Sequence, residues 1–153
     1  MKRTDCTRRL IMFLRLPSWD RRLLIKATVT VGAVRMGLWV LPFRILRRIV
    51  STTTTANEVQ TADRTTINRV VWAVWTASRY VPAATCLTQA LATQVLLGRR
   101  RQPACLRVGV AKGEDGQLQA HAWVESDGAV IIGGSESELG QYTPLLALNG
   151  AIL

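Results

Sequence analysis

Residues 85–110 read TCLTQALATQVLLGRRRQPACLRVGV, and within this stretch the spacing of apolar side chains changes from a helical to a strand-like period. Thr85 is a favourable N-cap residue, and apolar side chains then recur on one helix face as far as Gly98, a residue type that favours helix ends. Beyond Pro103 the apolar residues stand at alternate positions. The stretch therefore predicts a helix that begins at Cys86, followed by a β-strand.

Strand-like patterns continue towards the C-terminus, at residues 118–124 and 129–132. Asp127-Gly128 between them is a strong hairpin signal, because both residues tolerate the positive φ angles of a two-residue turn. Upstream, apolar residues between positions 62 and 80 recur at spacings of three and four, which predicts another helix. Because helices precede an antiparallel sheet, we expect an α+β fold.

The N-terminal third carries the whole net charge of the chain. Residues 1–50 contain twelve Lys and Arg against two acidic residues, a net charge of +10, whereas residues 51–153 contain eight of each sign. Such a region can contact an anionic membrane surface or an acidic protein, or it can be a solvated face. Nucleic acid is not expected as a partner, since no recognition motif accompanies the charge.

Several local signals divide the chain into two parts. Ser18 can cap a long helix that ends or kinks near Pro42, and a short basic helix can follow. The small, polar residues 51–57 are typical of a linker. We therefore predict a basic helical region with its linker, residues 1–57, and a core, residues 58–153.

The apolar window at residues 23–41 resembles a membrane span in length. Lys26 and Arg35 lie inside it, however, and each would cost about 2.5 to 3.5 kcal/mol near the centre of a bilayer. A buried helix is the better interpretation. Arginines interrupt the N-terminal segment and no small-residue cleavage site follows a short apolar run, which disfavours a signal peptide. We expect a cytoplasmic protein.

The cysteine pattern argues against two kinds of site. Cys6, Cys86 and Cys105 are an odd number, none forms a CxxC pair, and His121 is the only histidine in the chain. A disulfide scaffold and a tetrahedral zinc site are therefore poorly supported. We expect neither a metal nor a cofactor.

Cys86 is the strongest candidate for a catalytic residue. A cysteine in the first turn of a helix has its thiolate stabilised by the positive end of the helix dipole and by unpaired backbone amides. Cys105, in a predicted strand, and Cys6, near the N-terminus, lack this environment. Position alone is weak evidence, because many cysteines are ordinary small apolar residues of a core.

His121 lies in the predicted strand Gln119–Glu125, where a fixed imidazole could accept a proton from a thiol. A lone histidine in a sheet is more often structural. However, a cysteine at a helix start, followed some 35 residues later by a histidine on a strand, is the order found in papain-like and transglutaminase-like enzymes.

Three segments together resemble the transglutaminase-like B proteins of lasso peptide biosynthesis: Cys86–Ala92, Leu106–Val110 and Ala120–Glu125. The resemblance covers about residues 80–146 and ends with Tyr142-Thr143-Pro144-Leu145. It implies a cysteine protease that removes the leader from a ribosomally made precursor before a separate ATP-dependent cyclase closes the macrolactam ring. On the matching positions, Cys86 would be the nucleophile and His121 the general base.

The resemblance also implies partners for the chain. They are the precursor peptide, the ATP-dependent cyclase and a small leader-recognition protein. Some relatives carry that recognition domain fused, but the helical segment before the core shows no β-rich domain, so it is expected here as a separate chain. The basic N-terminal helices, with Arg44, Arg47 and Arg48, are its best docking surface.

The sequence departs from the family pattern at the third catalytic residue, because the aspartate that this family usually places about a dozen residues after the histidine is missing. The region reads Ile132-Gly133-Gly134-Ser135-Glu136. A two-residue turn at Asp127-Gly128 would place Gly134 opposite His121 and Glu136 on a diagonal, which makes Glu136 a candidate orienter of the imidazole. Asp127 would be too far away, at roughly 20 Å. The alternative is a Cys-His dyad oriented by a backbone carbonyl or by water.

Two further roles and two other functions remain open. Trp123 shares a sheet face with His121 and either packs in the core or lines the cleft. The amide of Cys86 is the natural first donor of an oxyanion hole. Another Cys-His acyl transferase, a transglutaminase or an N-acyltransferase, is the alternative enzyme. A catalytically inactive scaffold that binds peptide is the alternative outside enzymes.

Overall fold

A computed structural model describes Phe13 and residues 16–40, 62–113 and 115–149, without the side chains of Glu136 and residues 146–149. Three long helices precede four strands, and a short helix stands between the last two strands. The elements are α1 (Ser18–Val40), α2 (Arg64–Ser78), α3 (Cys86–Gly98), β1 (Cys105–Lys112), β2 (Leu118–Ser126), β3 (Ala129–Ile132), α4 (Glu136–Leu139) and β4 (Thr143–Asn149). The α+β class is confirmed.

The bounds of α3 agree with the prediction from local signals. Thr85 is the N-cap, and its hydroxyl accepts a hydrogen bond from the amide of Thr88, whose own hydroxyl faces the amide of Thr85. At the other end, the guanidinium of Arg100 donates to the carbonyl of Leu96 at 3.0 Å. Both ends of the helix therefore have partners for backbone groups that the helix itself leaves unpaired.

The three long helices share one hydrophobic core. α1 packs against α2 and α3, and Arg69 of α2 forms a 2.9 Å salt bridge with Asp20 of α1. The guanidinium of Arg69 also lies 4.3 Å from the centre of the Trp19 ring. Asp63 caps α2, and its backbone amide donates to the side chain of Gln102 at 2.7 Å, which connects α2 to the loop after α3.

The strands form an antiparallel sheet in the order β3-β2-β1-β4. The hairpin between β2 and β3 turns at Asp127 and Gly128, with φ angles of 49° and 76°, as the sequence predicted. Alternate side chains of the sheet close the helical core: Leu106, Ala122, Val124 and Ile132. The intervening positions of β2, His121 and Trp123, are therefore available for the site.

β4 was not predicted from the sequence. Pro144 breaks the strand pattern, because proline has no amide to donate to a sheet. In the structure it is tolerated, since β4 is an edge strand and its pairing with β1 shifts register between Val108 and Gly109. The predicted helix after Pro42, the linker at residues 51–57 and the boundary between 57 and 58 lie outside the described residues and stay predictions.

Candidate active site

Cys86 is the first residue of α3, and its half-buried side chain packs against the hydrophobic core. The amides of the first helical turn have no acceptor within the helix. The amide of Thr88 donates a hydrogen bond to the Thr85 hydroxyl. The amides of Cys86 and Leu87 precede it in the same turn, which is where an anion or a developing oxyanion is stabilised.

His121 lies on β2, directly opposite Gly109 of β1. Its Nε2 atom is hydrogen-bonded to the carbonyl oxygen of Gly133. A carbonyl can only accept, so Nε2 carries the proton and donates it. In the neutral imidazole, the lone pair is then on Nδ1, which fixes the ring in the tautomer that can accept a proton there.

Two aromatic rings border the imidazole. The ring centroid of Tyr142 lies 5.3 Å from that of His121, and the centroid of Trp123 lies 6.4 Å from it. Trp123 is buried over Gly109, where an added Cβ would approach the indole to 2.9 Å. Its indole N–H donates to Glu125 at 2.9 Å. Trp123 is therefore fixed by packing and by a hydrogen bond.

The predicted register beyond the hairpin is wrong. Ser126 pairs with Ala129 as expected, but the register shifts between Val124 and Glu125, so that Val124 pairs with Ile132. β3 ends at that residue. An extra residue on one strand displaces all later pairings by one position, so the pairing of Gly134 with His121 does not form.

The carbonyl oxygen of Gly133 is the acceptor that reaches the imidazole of His121. Its φ angle is 108°, and a Cβ there would lie 2.6 Å from Cβ of Trp123, so the backbone can only come this close at a glycine. This contact favours the alternative in which a backbone carbonyl orients the imidazole. The side chain of Glu136 lies outside the described part of the chain, and its role as the orienter stays a prediction.

Glu138 was not predicted from the sequence as a site residue. Its carboxylate accepts from the amide of Ser135 at 2.8 Å and from the Ser135 hydroxyl at 2.9 Å, which forms a capping box around the start of α4. The run Ser135-Glu136-Ser137-Glu138 carries the signature of this motif. The box begins two residues after Gly133, so it fixes the backbone that holds the carbonyl at His121.

Hydrogen bonds in this box also control the charge of Glu138. The amide and then the hydroxyl of Ser135 hold the pKa of Glu138 below its ordinary value of 4.5. A lowered pKa in the folded state means that this contribution to stability is complete above the ordinary value. The contribution is lost as the pH falls through the lowered value.

Cys105 has a different environment from Cys86. It lies in β1 opposite Glu125, and burial raises the pKa of its thiol. A raised pKa leaves less of the nucleophilic thiolate at neutral pH. The raised pKa agrees with the prediction that Cys105 lacks the environment of a nucleophile. Cys6 lies outside the described residues.

The structure brings His121, Gly133, Tyr142 and Glu138 together. Cys86 stands at the start of α3, which packs against β2. No hydrogen bond joins its sulfur to the imidazole among the residues that the structure describes. Catalytic hydrogen bonds are often long in the substrate-free state and shorten when substrate binds. The pairing of Cys86 with His121 is therefore a prediction about the complex with substrate.

A known protein family matches most of the chain. The sequence profile of the transglutaminase-like superfamily matches residues 28–147, from within α1 to within β4. No curated protein and no solved structure matches the chain. The matched range includes most of the chain, the candidate nucleophile and the candidate base. The chain therefore belongs to the transglutaminase-like superfamily, whose members are generally cysteine-based enzymes.

Proposed function

We propose that this protein is a cysteine peptidase that removes the leader from a lasso peptide precursor, with Cys86 as nucleophile and His121 as general base. The assignment of His121 as the base is supported by the hydrogen bond between its Nε2 atom and the carbonyl of Gly133. This contact leaves the lone pair on Nδ1, as a base requires. Support for the substrate comes from the segments that resemble the lasso peptide B proteins.

The first half of the reaction forms an acyl-enzyme. Nδ1 of His121 takes the proton from the thiol of Cys86, and the sulfur attacks the carbonyl carbon of the scissile peptide bond. The amide of Cys86 donates to the oxygen of the tetrahedral intermediate. As the intermediate collapses, the imidazolium gives its proton to the leaving amine. The core peptide departs, and the leader remains as a thioester on Cys86.

The second half restores the enzyme. Nδ1 of His121 takes a proton from a water molecule, which attacks the thioester carbonyl. The tetrahedral intermediate expels the sulfur, which takes back a proton from the imidazolium, and the leader leaves with a free carboxylate. The Gly133 carbonyl has the same role in both halves, because it accepts the hydrogen bond from the Nε2–H group throughout and stabilises the imidazolium each time this cation forms.

The capping box gives a prediction about turnover. Glu138→Ala should lower kcat by about ten- to a hundredfold, because Ser135 loses its acceptor and the carbonyl of Gly133 moves relative to His121. Glu138→Gln should recover most of that loss, since an amide oxygen still accepts from Ser135. Steady-state kinetics should show little change in KM for either variant, because Glu138 positions the base and does not hold the substrate.

Glu136→Gln is the matched comparison on the same short helix. If the carbonyl of Gly133 orients His121, this variant should keep most of the wild-type kcat. A loss of about 10²- to 10⁴-fold, the scale for neutralising a triad carboxylate, would assign the orienting role to Glu136. Equal activity of Glu138→Ala and wild type would show that the capping box does not position His121.

Capture of the precursor is proposed to depend on a separate recognition protein. Ordering each residue of an extended substrate costs about 1 to 2 kcal/mol, so a short contact around the scissile bond gives weak and unselective binding. A protein that holds the leader would raise the effective concentration of the cleavage site near Cys86, to about the millimolar range. The ATP-dependent cyclase would then receive the freed core peptide.

The function is tested by incubating the purified chain with precursor peptide, with and without the recognition protein, and following leader release by mass spectrometry. We expect slow cleavage by the chain alone and strong acceleration when the recognition protein is added. Reversing the charges of Arg44, Arg47 and Arg48 should weaken the acceleration more than the basal rate. Full-speed, selective cleavage by the chain alone would show that it recognises the leader itself.

The acyl acceptor distinguishes the peptidase from the alternative enzymes. A transglutaminase or an N-acyltransferase passes the acyl group from the sulfur to an amine, whereas a peptidase passes it to water. Adding a primary amine to the assay should therefore leave the leader carboxylate as the main product. A predominantly amide product would favour acyl transfer to amines, and the absence of any turnover would favour an inactive peptide-binding scaffold.

A further inference from the structure

α1 has two apolar faces, and only one of them is covered. Its inner face enters the core with residues whose side chains are buried: Leu23, Leu24, Ala27, Val31 and Val34. A second row, which we name the outer stripe, is between 51% and 79% exposed: Ile25, Val29, Met36, Trp39 and Val40. These positions recur at helix-face spacing, and Gly32 within the row has no atom within 4 Å of where a Cβ would stand.

Cationic side chains flank the outer stripe. Arg22 and Lys26 are exposed, and Arg21 and Arg35 are half-buried. The one acidic residue of the helix, Asp20, is paired with Arg69. The stripe extends about 22 Å along the helix axis from its first to its last residue, at about 1.5 Å per residue. It is therefore a straight apolar row with a positive border, a pattern typical of helices that lie in a membrane interface.

α1 is the helix, among the described ranges, that is long and apolar enough to cross a membrane by length and composition. A third of the apolar window, 33%, is buried inside the protein, so a spanning orientation would remove the inner face from the core. It would also place Lys26 and Arg35 within the bilayer. In a surface orientation the inner face stays packed, and the long cationic side chains reach the headgroups.

We propose that the outer stripe binds an anionic lipid surface, with α1 lying flat in the headgroup region and the catalytic core held against the membrane. The excess positive charge of the chain falls in the same N-terminal third as the stripe. Each Lys or Arg near an anionic surface adds attraction. A second copy of the chain fits poorly, since two identical stripes would bring like charges together.

The proposal is tested by co-sedimentation of the full-length protein with vesicles. One set contains phosphatidylcholine alone, and the other contains equal parts of phosphatidylcholine and phosphatidylglycerol. We expect binding to the anionic vesicles at least about tenfold tighter than to the neutral ones, and weaker at high salt. The double variant Val29→Glu, Met36→Glu should lose at least about tenfold in affinity, because both side chains lie on the stripe.

Leu118→Glu with Leu145→Glu is the matched control, since it changes two exposed leucines outside the stripe and has the same effect on net charge. Circular dichroism checks that both double variants are folded. Equal binding of the stripe variant and the control, or no binding to anionic vesicles, would overturn the proposal. The same conclusion holds if the stripe variant instead loses a dimer in analytical ultracentrifugation or loses binding to the recognition protein while lipid binding is unchanged.

Discussion

Cys86→Ala should abolish precursor cleavage, with a loss of at least about 10⁴-fold in kcat/KM measured with the recognition protein present. The variant removes the sulfur that forms the acyl-enzyme, and no other nucleophile starts a helix packed against β2 in the described part of the chain. Cys86→Ser should also be nearly inactive, because a hydroxyl gives up its proton much less readily than a thiol. Mass spectrometry of the wild type should detect the leader attached to Cys86 when the reaction is quenched early.

Cys105→Ala is the control for this prediction, and it should retain most of the activity. Cys105 is half-buried in β1, and the raised pKa of its thiol makes it a poor nucleophile at neutral pH. Removing this small side chain tests whether loss of any cysteine affects folding. Cleavage by Cys86→Ala at a rate near that of the wild type would disprove the assignment of the nucleophile, whatever Cys105→Ala does.

Elements with strong local signals were predictable from the sequence. α3 begins and ends where its cap residues place it, and the Asp127-Gly128 turn forms the expected hairpin. In both cases the determining interactions lie within a few residues along the chain: Thr85 with Thr88, and two residues that tolerate positive φ. The candidate nucleophile was therefore correctly placed at a helix start.

Features that depend on packing between distant segments were not predictable. The bulge in β3, where Ile131 is the extra residue, follows no turn signal, and it changes which backbone group faces His121. Gly133 has no side chain from which a role could be predicted. It contributes a carbonyl group, and it has no Cβ that would clash with Trp123. The pairing of β4 with β1 shifts register next to Pro144, where Leu145 is the extra residue on β4.

The two apolar faces of α1 show a different limit of sequence patterns. A helix with one apolar face is recognised by its periodicity, whereas a helix with two gives a weak pattern that also fits a membrane span. The choice between these interpretations requires the structure, because only packing shows that Leu23, Ala27 and Val31 are buried while Val29 and Met36 are not. The core interpretation of α1 was correct for one of its faces.

His121→Ala should reduce kcat/KM by about 10⁴- to 10⁶-fold, because the thiol loses its base and the leaving amine loses its proton donor. Alkylation of Cys86 by iodoacetamide should require a higher pH in this variant than in the wild type, since no imidazole remains to take the proton. Mass spectrometry of the alkylated peptide measures the rate at Cys86 separately from that at Cys105. Substrate is not needed for this second measurement.

Gln119→Ala provides the matched control, because Gln119 is exposed two positions earlier on the same strand. It should change neither the cleavage rate nor the alkylation profile. The double variant Cys86→Ala, His121→Ala should be no slower than either single variant, since residues that act as one unit give non-additive losses. An unchanged alkylation profile in His121→Ala would mean that the two residues do not form a pair. The loss of activity would then reflect a structural role of the imidazole between Gly133 and Tyr142.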